Sequence, residues 1–251
     1  MYQIIEKWLT PNKYSRPQKS INKIKGIVIH WVANPMSNAI SNRNYFESKK
    51  HGTPNPKTGK PDYCSAHEII GLDGEIVKCV PYNEIVYAVG SNTYTQKALQ
   101  KLSSYPNDCT YNIECCHIDW SGKMNDKTYN TLVERCVDLC KQFDLNPYED
   151  LWLHKEVVGW KDCHKWFVDN PDEWKLFKQK VSNIMNKKSK YFNDIPENFW
   201  NIDDIDEAYE LGIINGYPDG TFKPNITPTR AEMTSALLKL YKKIKEEIKN
   251  G

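Results

Sequence analysis

The sequence predicts an α/β domain with a central mixed sheet flanked by helices, followed by a small all-α helix–turn–helix domain. Three observations predict it. Short apolar runs interleave with segments of helical periodicity through residue 185, the pattern of strands covered by helices. Residues 186–190, Asn-Lys-Lys-Ser-Lys, are polar and carry no apolar period. From Tyr191 the chain changes to two helical stretches around Gly- and Pro-containing turns. A chain of 251 residues holds one ordinary domain and a small one, at roughly 100–200 residues per domain. The expected division is therefore 1–185, a linker at 186–190, and 191–251.

Each element has its own reason. Residues 26–32, Gly-Ile-Val-Ile-His-Trp-Val, are apolar except for His30, as in a strand buried on both faces. Within the polar passage at about 34–62, residues 38–50 read as a helix. Residues 67–80 read as two strands around Leu72-Asp-Gly-Glu75, because Asp-Gly between apolar runs favours a hairpin. Residues 111–118 form another short strand. In the next segment Tyr129, Leu132, Val133, Cys136, Leu139, Cys140 and Phe143 recur at helical spacing, with Asn125 or Asp126 placed to cap the start. Residues 152–154 read as a last short strand or loop, and 174–186 as a closing helix. In the second domain, Ile205, Ala208, Tyr209 and Leu211 mark a helix that Gly212 ends. Thr229-Arg-Ala-Glu232 is a capping box for a final helix with an apolar stripe of Met233, Ala236, Leu237, Leu240 and Tyr241.

Composition narrows the function. A formal net charge of +2 gives no electrostatic case for nucleic acid. The clusters Lys187, Lys188, Lys190 and Lys239, Lys242, Lys243, Lys245 read as solvated surface, with weak attraction to an anionic wall polymer as the functional alternative. No stretch approaches the roughly 20 apolar residues of a membrane span. The first residues lack a basic start and apolar core, so no secretory signal is expected and the protein should accumulate in the cytoplasm. The eight cysteines lack a disulfide-framework spacing; seven read as small buried hydrophobes and Cys163 as a candidate ligand.

His30 inside an apolar strand, His154 after Trp152-Leu153, and Cys163 nine residues later make a three-ligand set that leaves a fourth tetrahedral position open, the pattern of catalytic zinc. The alternative is that these histidines are hydrogen-bonded core residues. Glu114, between Ile113 and Cys115, occupies an expensive place for a carboxylate. It reads either as a general base beside a metal or as half of a buried ion pair.

Four segments, Ile27-Val-Ile-His30-Trp31, Ser65-Ala-His67-Glu-Ile-Ile-Gly-Leu-Asp-Gly74, Asn112-Ile-Glu114 and His154-Lys-Glu-Val-Val-Gly-Trp-Lys161-Asp-Cys163, resemble in type and order those of the type-2 N-acetylmuramoyl-L-alanine amidases. That family includes phage endolysins and shares its fold with peptidoglycan recognition proteins. The likeness covers about residues 20–170. It implies Zn2+ held by His30, His154 and Cys163, Glu114 as the catalytic glutamate, and Lys161 as the cation that stabilises the oxyanion. The substrate it implies is peptidoglycan, cut at the amide between N-acetylmuramic acid and L-alanine. Three departures stand out. His164 follows Cys163 where the family has Pro, Asp162 is an alternative third ligand, and Tyr87-Ala-Val-Gly90 lacks the His that many relatives carry. His67 reads as structural or groove-lining, and His51 and His117 as bystanders.

The C-terminal segment resembles an S-layer homology module through Phe192-x-Asp-Ile195, Phe199-Trp200, Leu211 to Pro224, and Ile226-Thr-Pro-Thr-Arg230-Ala-Glu232. This implies a secondary cell-wall polymer of Gram-positive bacteria as partner. Arg230 either pairs with a ligand carboxylate or forms a salt bridge within the module. Such modules occur in threes, so one copy implies weak binding or assembly into a homo-oligomer. The missing signal fits a phage or prophage endolysin, made in the cytoplasm and acting on the wall after release, with a host autolysin exported by another route as the alternative. Two rivals remain: a non-catalytic peptidoglycan sensor on the same fold, and a structural S-layer component.

Overall fold

The computed structural model describes residues 2–197, 199 and 201–250, so Trp200 of the module motif lies outside the described residues. The chain divides into two units, Met1–Ser182 and Asn183–Gly251.

In the first unit the strands are β1 (Ile4–Glu6), β2 (Gly26–Trp31), β3 (Glu68–Ile70), β4 (Ile76–Lys78), β5 (Thr110–Cys115) and β6 (Leu151–Leu153). They form one sheet in the order β1-β4-β3-β5-β2-β6. The β3–β4 hairpin is antiparallel and every other neighbour pair is parallel. The helices are α1 (Ala39–Ser48), α2 (Gln96–Lys101), α3 (Asp126–Phe143), α4 (Pro147–Asp150), α5 (His154–Val158), α6 (Lys165–Asp169) and α7 (Pro171–Met185). Glu68 of β3 meets Arg135 of α3, whereas Ile69 clusters with Ala39 and Phe46 of α1. Successive strand residues point to opposite faces, so α3 and α1 cover opposite sides of the sheet.

The mixed sheet with flanking helices is the architecture expected. Asn125 caps α3 by accepting from the Thr128 amide. At the hairpin, Gly74 has φ +81°, and a Cβ there would lie 2.7 Å from Thr131 Oγ1. Thr131 Oγ1 donates to the Gly74 carbonyl, which fixes the turn against α3. A buried network fastens α3 further. Glu68, with no exposed surface, accepts from the Arg135 guanidinium at 2.8 and 2.9 Å and from Tyr111 Oη at 2.7 Å.

Several elements differ from expectation. Strand β1 has three residues and no apolar alternation to reveal it. Strand β5 stops at Cys115, short of the expected residue 118, and His117 beyond it lies against the Trp31 ring. Helix α7 begins at Pro171, the residue type best suited to a first helical turn.

The second unit contains α8 (Ile202–Glu210) and α9 (Arg230–Asn250), with no strand among its described residues. Phe192, Ile195, Ile202 and Ile205 form its small core, joined by Phe199, Ile214 and Phe222. Gly212, at φ +69°, follows the end of α8. The polar segment 186–190 carries no regular element but is anchored. Ser189 Oγ and the Lys190 amide both donate to the buried Asp206 carboxylate. Thr229 and Glu232 exchange the two bonds of the capping box. The stripe on α9 is not a core: Met233, Leu237, Leu240 and Tyr241 are exposed, as are Ile244 and Ile248 beyond them.

Candidate active site

Three parallel neighbours, β5, β2 and β6, run in the same direction, so their carboxyl ends form one rim. Ligand sites in α/β sheets gather at such rims. His30, near the end of β2, lies directly opposite Glu114 of β5. On the other side β6 ends at Leu153 and His154 opens α5. The Glu156 carboxylate accepts from the Leu153 amide at 2.7 Å, which holds that corner. Gly159 ends α5 with φ +85°, and the returning chain is pinned by the Lys155 amide donating to the Cys163 carbonyl at 2.8 Å.

These turns bring His30, His154 and Cys163 together. One ligand atom from each lies within 4.8 Å of the others, and all three residues are buried. Cys163 Sγ is 3.7 Å from His30 Nδ1, and the two imidazole centroids are 4.8 Å apart. Asp162, by contrast, is mostly exposed and pairs with Lys155 at 2.8 Å. Lys161 and Glu114 line one cleft with His30 and Cys163; on its other side, Lys161 lines a second hollow with His154, Tyr63, Tyr105 and Trp160.

The electrostatics follow from burial. Loss of water lowers His30 to about 3, its hydrogen bond to Asn112 opposing this, and lowers His154 to about 2, with His30 and Lys161 adding to the effect. Both rings are therefore neutral at neutral pH, the form that ligates metal. Burial pushes the Glu114 carboxyl up to about 8, with Lys161 pulling it back, and pushes the Cys163 thiol up to about 12, with Glu114 adding to the effect. Glu114 Oε2 and both ring nitrogens of His154 are buried with no hydrogen-bond partner. Orphaned buried polar atoms around two imidazoles and a sulfur are what a zinc site needs filled, so the donor set fits that ion.

The remaining sequence candidates separate clearly. His67 is fully buried and braces the backbone: its Nδ1 accepts from the Asn112 amide and its Nε2 donates to the Glu84 carbonyl. His51 is exposed and His117 is occupied with the Asn34 amide and Asp119 carbonyl. Arg230 is exposed at the first residue of α9, and no ion pair to it is found among the described residues. Sequence reasoning placed Asn112 in a motif but gave it no role; it touches His30 at 3.0 Å, and its place two residues before Glu114, on the same strand face, was the available signal.

Comparison with known proteins agrees with this arrangement. The N-acetylmuramoyl-L-alanine amidase family model matches residues 20–166, and the S-layer homology domain model matches residues 191–234. The N-acetylmuramoyl-L-alanine amidase BlyA of Bacillus subtilis is 26% identical over 190 residues, covering 72% of this chain and 47% of BlyA. The chain spans about half the length of the curated relatives it matches over this region. The PlyG catalytic domain shares the fold at TM-score 0.55 and 20% identity, covering 72% of this chain and 94% of that one. A mutant endolysin from Bacillus subtilis does so at TM-score 0.51 and 21% identity, covering 72% and 99%. With more than half its residues matched by that family model and the sheet and rim described above, this chain belongs to the N-acetylmuramoyl-L-alanine amidase family.

Proposed function

We propose that the chain is a zinc-dependent endolysin that hydrolyses the amide between N-acetylmuramic acid and L-alanine in peptidoglycan. The observation that carries this reading is the buried His30–His154–Cys163 cluster with Glu114 directly across the strand pair. These three side chains would hold the zinc. When bound, zinc supplies Lewis acidity and lowers the pKa of a coordinated water towards 7. Glu114 takes the proton of the attacking water and returns it to the departing alanine nitrogen. Lys161, at the rim of the cleft, stabilises the carbonyl oxygen as charge develops there. The exposed aromatic residues Tyr63, Tyr105 and Trp160 offer flat surfaces to the glycan and stem peptide.

The C-terminal unit, matched by the S-layer homology domain model, holds the enzyme to a secondary wall polymer of Gram-positive cells, with Arg230 free to meet an acidic group. The exposed stripe from Met233 to Ile248 supports assembly of copies into a homo-oligomer through α9. The test is to add the chain to purified Gram-positive walls with and without chelator. The reading requires loss of turbidity with new L-alanine N-termini, abolished by the chelator and restored by zinc. Binding without release of N-termini would overturn it in favour of a peptidoglycan sensor.

A further inference from the structure

His30 differs from His154 in one respect: a second side chain fixes its ring. Its Nε2 lies 3.0 Å from Asn112 Oδ1, and both residues are buried. The orientation of that amide is set from behind. Asn112 Nδ2 donates to the Thr110 carbonyl and to Thr110 Oγ1, each at 3.1 Å. Thr110 Oγ1 spends its own hydrogen on the Pro106 carbonyl at 2.8 Å, so towards Asn112 it is an acceptor. Rotating the amide by half a turn would set oxygen against two acceptors inside the fold. The backbone of Asn112 is equally fixed, its amide donating to His67 Nδ1 at 2.9 Å and its carbonyl accepting from the His67 amide at 3.0 Å.

With Oδ1 facing His30, the ring nitrogen opposite must carry the proton. A neutral imidazole protonated at Nε2 has its lone pair on Nδ1, the atom that faces Cys163 Sγ at 3.7 Å. We propose that Asn112 is a positioning residue: held by Thr110, it locks His30 in the Nε2–H tautomer and aims the Nδ1 lone pair into the ligand cluster. The inference rests on the zinc reading for its purpose, but the tautomer is a property of the metal-free chain. His154 has no hydrogen-bond partner on either ring nitrogen, so preorganisation of the site falls on His30. Hydrogen bonds to the far nitrogen of a ligand imidazole typically change metal affinity by about 10–100-fold.

The experiment uses the full chain in two measurements. Nitrogen-15 NMR of histidine-labelled, metal-free protein reads the tautomer directly: His30 should carry its proton on Nε2 and be unprotonated at Nδ1. In Asn112→Leu the signal should move to a mixture of tautomers, and zinc affinity, read by competition with a chromophoric chelator, should fall about 10–100-fold. Asn112→Asp, which keeps an acceptor oxygen towards Nε2, should recover part of that loss. A wild-type His30 protonated at Nδ1 overturns the proposal without any variant, so an unfolded variant does not shelter it. Unchanged zinc affinity in folded Asn112→Leu overturns it as well. A wild-type chain that binds no zinc yet shows Nε2–H would defeat the zinc reading alone, leaving Asn112 as the group that sets the tautomer.

Discussion

Replacing Glu114 by Gln should stabilise the metal-free protein at alkaline pH while destroying its activity. Glu114 is partly buried at the cleft, its Oε2 is shut off from solvent with no hydrogen-bond partner, and its pKa is raised from 4.5 to about 8 chiefly by burial. At about 1.4 kcal/mol per pH unit of displacement, ionising it inside the fold costs on the order of 5 kcal/mol. The pH dependence has a definite sign. Below 4.5 the proton is present in both folded and unfolded chains, and the group contributes nothing. Between 4.5 and about 8 the unfolded chain releases the proton first, so stability falls as pH rises; above 8 the penalty is complete. Gln keeps the shape and never ionises. Urea unfolding of chelator-treated protein should therefore give similar stabilities for the two chains at pH 4.5. At pH 9 the variant midpoint should be higher by roughly 2.5 M, for a slope of about 2 kcal/mol per molar urea. Both chains share every other titrating group, so the difference between them isolates Glu114. A variant no more stable than wild type at pH 9 would refute the argument. Wall lysis that survives in Glu114→Gln would remove Glu114 from the chemistry.

Because the Cys163 thiol keeps its proton up to about 12 without metal, zinc loading should release that proton and tighten about tenfold per pH unit between pH 6 and 8; chelator competition checks this, and Cys163→Ala should lose zinc where Asp162→Ala does not. Arg135→Met strands the buried Glu68 carboxylate and should cost about 3–5 kcal/mol in urea unfolding, whereas Glu68→Leu combined with Arg135→Met should cost much less. Sedimentation should show wild-type self-association that Leu237→Glu with Ile244→Glu reduces, with helix content unchanged by circular dichroism.

The parts of the fold legible in the sequence are those whose burial leaves a periodic trace. The 26–32 run became β2, the spacing from Tyr129 to Phe143 became α3, and Asp73-Gly74 became the hairpin turn. Elements too short to complete a period, such as β1, α4 and α6, left no such trace. The α9 stripe shows the opposite difficulty: periodicity announces an apolar face but not what covers it, and Leu237 and Ile248 remain exposed. At the site, His30 stood out because an imidazole interrupts an apolar strand. Its meeting with His154 and Cys163 came from motif order, since residues so distant in sequence have no local signal of proximity. Asn112 stood in the Asn112-Ile-Glu114 segment without a role of its own, because its importance lies in which atom of its amide faces which neighbour.

The strand order also bears on how the chain is made. Strand β2 is paired on both sides, by β5 and by β6, and both partners emerge far later in synthesis. Until residue 153 has left the ribosome, the run from Gly26 to Trp31 has an open edge and almost no polar side chain. Such a segment invites pairing with other nascent chains. Slow translation or scarce chaperone capacity should therefore reduce yield through aggregation, and a charged residue inside β2 could not relieve it without disturbing the rim that carries His30.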